Sequence, residues 1–193
     1  MTGLADVVNA ARACDICKAH LPLGPRPIFQ VDQQAKLLIV SQAPGIRAHN
    51  SGIPFEDASG ERLRNWMNVS PKTFYDTTKV AILPMGFCYP GRGKSGDLPP
   101  RAECAAKWRN PFLQQLKNIE ITLVIGQYAQ AWHLGNKRKP TLTETVKNWR
   151  QYWPEQAVLP HPSPLNNIWL KKNAWFEDEV LPVLKTAISR ILT

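Results

Sequence analysis

"AKLLIVSQAPG" (residues 35–45) decides how this chain is read. Its apolar part is continuous rather than alternating, as expected of a strand at 36–40 that is covered on both faces of a parallel sheet. The strand leaves through a small polar residue, an amide and a Pro–Gly pair. Such a turn presents backbone amides and the Gln42 side chain at the strand's carboxyl end.

Working outward, three more runs share the pattern: "KVAIL" (79–83), "TLVI" (122–125) and "QAVLP" (156–160). Helix-like segments separate them. "SGERLRNWM" (59–67) opens with Ser59 as a capping residue. "RAECAAKWRNPFLQQL" (101–116) contains Pro111, which is expected to break or kink it. "QYAQAWHL" (127–134), "TLTETVKNWRQYW" (141–153) and "NAWFEDEVLPVLKTAISRIL" (173–192) complete the series. Strands alternating with helices predict an α/β domain built on a mainly parallel, four-stranded sheet. The 193 residues suit one domain, 1–193, with a full core.

No apolar stretch approaches the roughly 18–20 residues that span a bilayer. The start, "MTGLADVVNAARACDIC", lacks the basic-then-apolar pattern of a secretion signal. A cytoplasmic protein is expected, and nothing demands more than a monomer. The formal charge of +9, from 24 Lys and Arg against 15 Asp and Glu, suits a polyanionic partner. The basic residues gather in "GRGKSGD" (91–97), "NKRKP" (136–140) and "WLKKN" (169–173). The first of these is not a phosphate loop, because Cys88 stands where that motif needs Gly and no helix start follows Ser95. It reads as a basic loop in which Arg92 and Lys94 can touch backbone phosphate.

Each strand is followed by an unusual turn: "SQAPG", "PMGFCYPG" (84–91), "GQYAQ" (126–130) and "HPSPLNN" (161–167). In open α/β sheets this edge is where ligands bind. In the last turn, prolines on both sides of Ser163 fix where His161 and Leu165 project. A histidine there is either a satisfied core residue or a donor to an oxygen on which charge develops. "HNSGIPFED" (49–57) holds His49, the potential acid Asp57, and Phe55 behind a rigid Gly-x-Pro. Phe55 is either core packing or a platform for a flat ring.

Four cysteines occur, Cys14, Cys17, Cys88 and Cys104. A C-x2-C pair followed by two later cysteines can supply four thiolates to one centre, either a [4Fe–4S] cluster or a structural zinc.

Taken together, "SQAPGIRAHNSGIPFEDASG" resembles the first active-site motif of the uracil-DNA glycosylase superfamily, especially its iron–sulfur branch. Ala43, Pro44 and Gly45 align without a gap to Gly52, Pro54, Phe55 and Gly60. "HPSPLN" resembles that superfamily's second motif, and the four cysteines fall on the iron–sulfur branch's pattern. The resemblance implies a three-layer α/β/α sandwich and an enzyme that flips a uracil or other damaged base out of DNA and hydrolyses its N-glycosidic bond. It implies a [4Fe–4S] cluster on the four cysteines. It also implies that His161 stabilises the departing base and that Phe55 stacks on it, with Ala43 and Pro44 beside it. Leu165 then fills the gap in the duplex, Gln42 holds water or the base edge, and Ser163 and Asn166 belong to the DNA-gripping loop.

Three positions depart from the pattern. Gln42 replaces a usual Glu and cannot act as a base. Pro84 stands where a uracil-reading Asn is usual. His49 stands where an acid is frequent, and it can activate water or attack the sugar carbon. These departures leave open a relative that binds damaged or single-stranded DNA with little or no cleavage. A hydrolase of free nucleosides is a further alternative.

Overall fold

The structure, a computed structural model, describes residues 3–94 and 96–193. Four parallel strands form the central sheet: β1 (Leu37–Val40), β2 (Val80–Ile82), β5 (Ile121–Ile125) and β6 (Gln156–Leu159), in the order β2-β1-β5-β6. Leu37 is in register with both Val80 and Ile121, and Thr122 with Gln156. Two-residue strands β3 (Arg92–Gly93) and β4 (Gly96–Asp97) make a separate antiparallel hairpin.

Apart from Thr122 and Gln156, the strands of the central sheet are apolar because both faces are covered. Leu37 and Ile39 point into one core with α3 (Ala58–Met67), α4 (Pro71–Phe74), α7 (Leu142–Lys147) and α9 (Leu181–Leu192). Leu38 and Val40 point into a second core with α1 (Leu4–Arg12), α5 (Ala102–Leu113) and α6 (Gly126–Leu134). Two short helices, α2 (Ile46–Ser51) and α8 (Asn167–Lys172), lie after β1 and β6. Helices on both faces give the expected three-layer α/β/α arrangement. Among the described residues, no helix is long and apolar enough to cross a membrane.

Several boundaries differ from expectation. The cap of α3 is Asp57, whose carboxylate accepts the Gly60 amide at 2.9 Å, so Ser59 lies inside the helix. Pro111 does not break α5. It removes one backbone donor close to the helix's end at Leu113, while Cys104, Trp108, Arg109 and Phe112 stay anchored in the core. The segment expected as one helix over 173–192 starts as a π-helical stretch, Phe176–Val180, before α9.

The chain order places β1 between β2 and β5, so the connections leave β1 and β5 in opposite directions along the sheet. That reversal opens a crevice at the carboxyl ends of the central strands.

Candidate active site

The crevice is a cleft of about 430 Å³. The turn after β1 supplies Ser41 to Gly45, and the segment before and into α3 supplies Pro54, Phe55, Asp57 and Ser59. Pro84 comes from the turn after β2, Gln127 from the start of α6, and Gly96 and Asp97 from the hairpin. His161, Ser163, Leu165 and Asn166 close the other side. The turns beginning at Ser41 and His161 therefore face one cleft, although they are far apart in sequence.

The turns after β1 and β2 are laced together. The Met85 amide donates to the Ser41 carbonyl at 2.8 Å and the Gly86 amide to the Gln42 carbonyl at 3.0 Å. Beneath them lies Arg109, only 2% exposed, donating to the carbonyls of Leu83 (2.9 Å) and Pro84 (2.8 Å). Burial lowers its pKa to about 10. A buried guanidinium needs such acceptors, and the loop needs its carbonyls satisfied, so each fixes the other. The Gln42 amide nitrogen donates to the Leu98 carbonyl at 3.0 Å, tying the turn to the chain just past the hairpin.

Phe55 has a left-handed backbone, with φ of 57°. For a non-glycine residue this conformation is unfavourable and must be held by its surroundings. Its carbonyl accepts hydrogen bonds from Tyr75 (3.3 Å) and Arg64 (3.4 Å), and its ring meets Phe74 edge-on at 6.1 Å. The ring is half-buried and lines the cleft, leaving part of its surface for a ligand.

His161 has a defined role within its turn. The Ser163 amide donates to its Nδ1 at 3.2 Å, and the Asn166 side chain donates to its carbonyl at 2.7 Å. An Nδ1 that accepts leaves the proton of the neutral ring on Nε2. Burial lowers the ring's pKa, opposed by the negative charge of Asp57. The imidazole is thus a neutral donor at ordinary pH. Ser163 caps the following turn through the Leu165 amide at 3.2 Å, and Arg62 reaches across from α3 to the Ser163 carbonyl (3.0 Å) and to Asn167 Oδ1 (2.7 Å). On this clamped turn Leu165 stands 76% exposed.

Three expected site residues are not in the cleft lining. His49 is buried in α2 with its ring 6.0 Å from Tyr89, and its Nδ1 has no partner among the described residues. Burial and the nearby Arg26 lower its pKa. His49, expected to activate water or attack the sugar carbon, lies on α2 directly after Ala48, which lines the cleft. Arg92 and Lys94 are exposed on the hairpin whose Gly96 and Asp97 do line the cleft, so they stand at its edge. Ser95, between them and Gly96, lies outside the described residues.

Sequence reasoning missed Asp97, Gln127 and Arg62. Asp97 is the most consequential. Its Oδ2 lies 3.3 Å and the Asp57 Oδ2 3.9 Å from where a Cβ on Gly45 would be. Two carboxylates thus converge over Gly45. Burial raises the Asp97 pKa, Arg92 lowers it, and Asp57 raises it.

The four cysteines line one small cavity, between α1, the turn after β2 and α5. None is in a disulfide. The Phe87 amide donates to Cys104 Sγ at 3.3 Å and the Trp108 indole to Cys14 Sγ at 3.2 Å. Burial pushes the Cys88 thiol up to about 11 and the Cys104 thiol up to about 12. Among the described residues, no three His, Cys, Asp or Glu side chains stand as ligands of one metal ion.

Comparison with protein families finds residues 28–185 matched by the family described as the uracil DNA glycosylase superfamily.

Proposed function

From a chain that belongs to the uracil DNA glycosylase superfamily, we propose a DNA-repair enzyme that hydrolyses the N-glycosidic bond of a flipped-out, deaminated or otherwise damaged base. The observation that carries this reading is the pairing, across one cleft, of a platform and a donor: the Phe55 ring and the neutral His161 imidazole.

Breaking the bond between the sugar and the base nitrogen leaves positive charge on the sugar and negative charge on the base. Donors already oriented toward the developing charge lower that barrier, because they need no reorganisation as the bond breaks. His161 Nε2–H is such a donor to a base oxygen, and its neutral form suits the role because it keeps its proton. Phe55 stacks on the extruded ring, with Ala43 and Pro44 beside it. Extraction from the duplex costs a few kcal/mol of lost stacking. Leu165, exposed on a clamped turn, offsets that cost by occupying the vacated space. We assign backbone-phosphate contacts to Ser163, Asn166, Arg92 and Lys94, a reading supported by the +9 charge. We also propose that the protein works as a monomer.

Cys14, Cys17, Cys88 and Cys104 fit a [4Fe–4S] cluster. They surround one cavity, remain free, and carry N–H donors on two sulfurs, as thiolate ligands of clusters do. A structural zinc ion on the same four thiolates is the alternative occupant. When bound, the cluster supplies cross-linking of α1 to the turn after β2 and to α5; the hydrolysis is carried by the residues of the cleft.

The test is a panel of oligonucleotides, each with a different lesion in single- and double-stranded form, incubated with pure protein and treated with alkali. Strand breaks at one or more lesions are expected. Tight binding with no breaks on any of them overturns the enzyme in favour of a damage-binding relative, the reading that Gln42 and Pro84 favour.

A further inference from the structure

We propose that Asp97 is the group that takes the proton from the attacking water, with Gln42 as its positioning residue; this rests on the glycosylase reading above. A hydrolysis at a sugar carbon needs a base near the water, and position 42 holds an amide that has no basic form. The cleft nevertheless contains two carboxylates, Asp57 and Asp97, converging over Gly45.

They are not equivalent. Asp57 Oδ1 accepts the Gly60 amide and holds the start of α3, so it is committed to the fold. Asp97 comes from the two-residue strand β4, and its cross-strand neighbour is Arg92. Partial burial raises its proton affinity, opposed by Arg92 and aided by the Asp57 charge, so the carboxylate that does not cap α3 can take a proton from water.

The amide at 42 then has a reason. Its nitrogen donates to the carbonyl of Leu98, the residue after Asp97, and the Leu98 amide donates to the Gly91 carbonyl at 2.8 Å. These bonds fasten the hairpin's outgoing strand over the cleft. A Glu at 42 has no donor for Leu98 and would bring a third negative charge toward Asp57 and Asp97. Gln42 and Asp97 thus work as a pair: the turn after β1 lends a hook, and the hairpin lends the base.

In the step itself, the bond from C1′ to the base nitrogen breaks and its electron pair leaves with the base. The water oxygen bonds to C1′, and a water proton passes to the Asp97 carboxylate. Asp97 afterwards returns that proton to the departed base or to solvent, so the protein is unchanged.

The test uses the whole protein and two duplexes that differ at one position. One carries an uncharged tetrahydrofuran abasic site, the other a cationic pyrrolidine abasic site that mimics charge at C1′. Wild-type protein should bind the cationic duplex about tenfold more tightly. Asp97→Asn should abolish that preference, leave the tetrahydrofuran duplex within about twofold, and lower single-turnover excision by about 100-fold or more. Gln42→Met keeps the side chain's length without its donor. It should lower excision and move the pH at which activity falls in acid, since Asp97 would lie differently between Arg92 and Asp57.

Equal binding of both duplexes by wild-type protein overturns the proposal. So does an Asp97→Asn variant that keeps the preference or the excision rate, and an unmoved acid limb in Gln42→Met overturns the role of Gln42. An Asp97-dependent cationic preference without excision of any lesion supports the placement of Asp97 and sinks the glycosylase reading alone.

Discussion

A Cβ on Gly60 would overlap the carbonyl oxygen of Phe55. The first turn of α3 and the left-handed Phe55 backbone therefore occupy the same space by virtue of one missing methyl group. Gly60→Ala must push α3 or Phe55 aside. The expected loss of stability in urea unfolding is about 3 kcal/mol or more, the range of substitutions that break a special backbone geometry. Survivors should bind lesion-containing DNA poorly, because the ring platform moves.

Leu165 gives the opposite pattern. It is exposed and its turn is held by Ser163, Asn166 and Arg62, so Leu165→Ala should change stability by no more than about 0.5 kcal/mol. Excision from duplex DNA should fall by about tenfold, and excision from single strands much less, since only the duplex leaves a gap to fill. Single-turnover rates on matched substrates read this out.

Activity should respond to pH on one side. Burial holds His161 below the ordinary histidine range, so it is neutral and competent both below and above pH 7. The rate should not fall as pH rises through the range where a free histidine loses its proton. Asp97 is raised by burial and by Asp57, against Arg92, so the acid limb should set in above the usual carboxylate range. Below it the base is protonated, and the rate should drop by about tenfold per pH unit. A limb on the alkaline side near neutrality would mean that a cationic His161 is required.

Purified protein should contain about four iron atoms and absorb broadly in the visible range. Cys14→Ser or Cys104→Ser should abolish both and lower the melting temperature, because a group bound only by the folded chain stabilises it. Protein that carries one zinc ion instead would keep the ligand set and overturn the cluster.

The sheet was legible because its signal is local. Leu37 to Val40 and, apart from Thr122 and Gln156, the other three strands are apolar on both faces, and a short run of that kind belongs in a sheet covered by helices on each side. The cleft was legible in part for the same reason: Gln42, Phe55, His161 and Leu165 sit in turns whose prolines and glycines mark them. Asp97 was hidden because it belongs to a two-residue strand, and it reaches the cleft through a bond between Gln42 and Leu98, which are 56 residues apart. The place of His49 was not legible because a one-residue difference on a short helix sets which side chain meets the cleft lining. Ala48 lines the cleft and His49 does not.

The most direct measurement is a crystal structure of the protein with a duplex whose lesion nucleotide carries a 2′-fluorine, which slows loss of the base. The base is expected outside the helix, its ring against Phe55 and an oxygen within hydrogen-bonding distance of His161 Nε2, with Leu165 in the stack. A base still paired in the duplex, or DNA lying on another face of the protein, would contradict it.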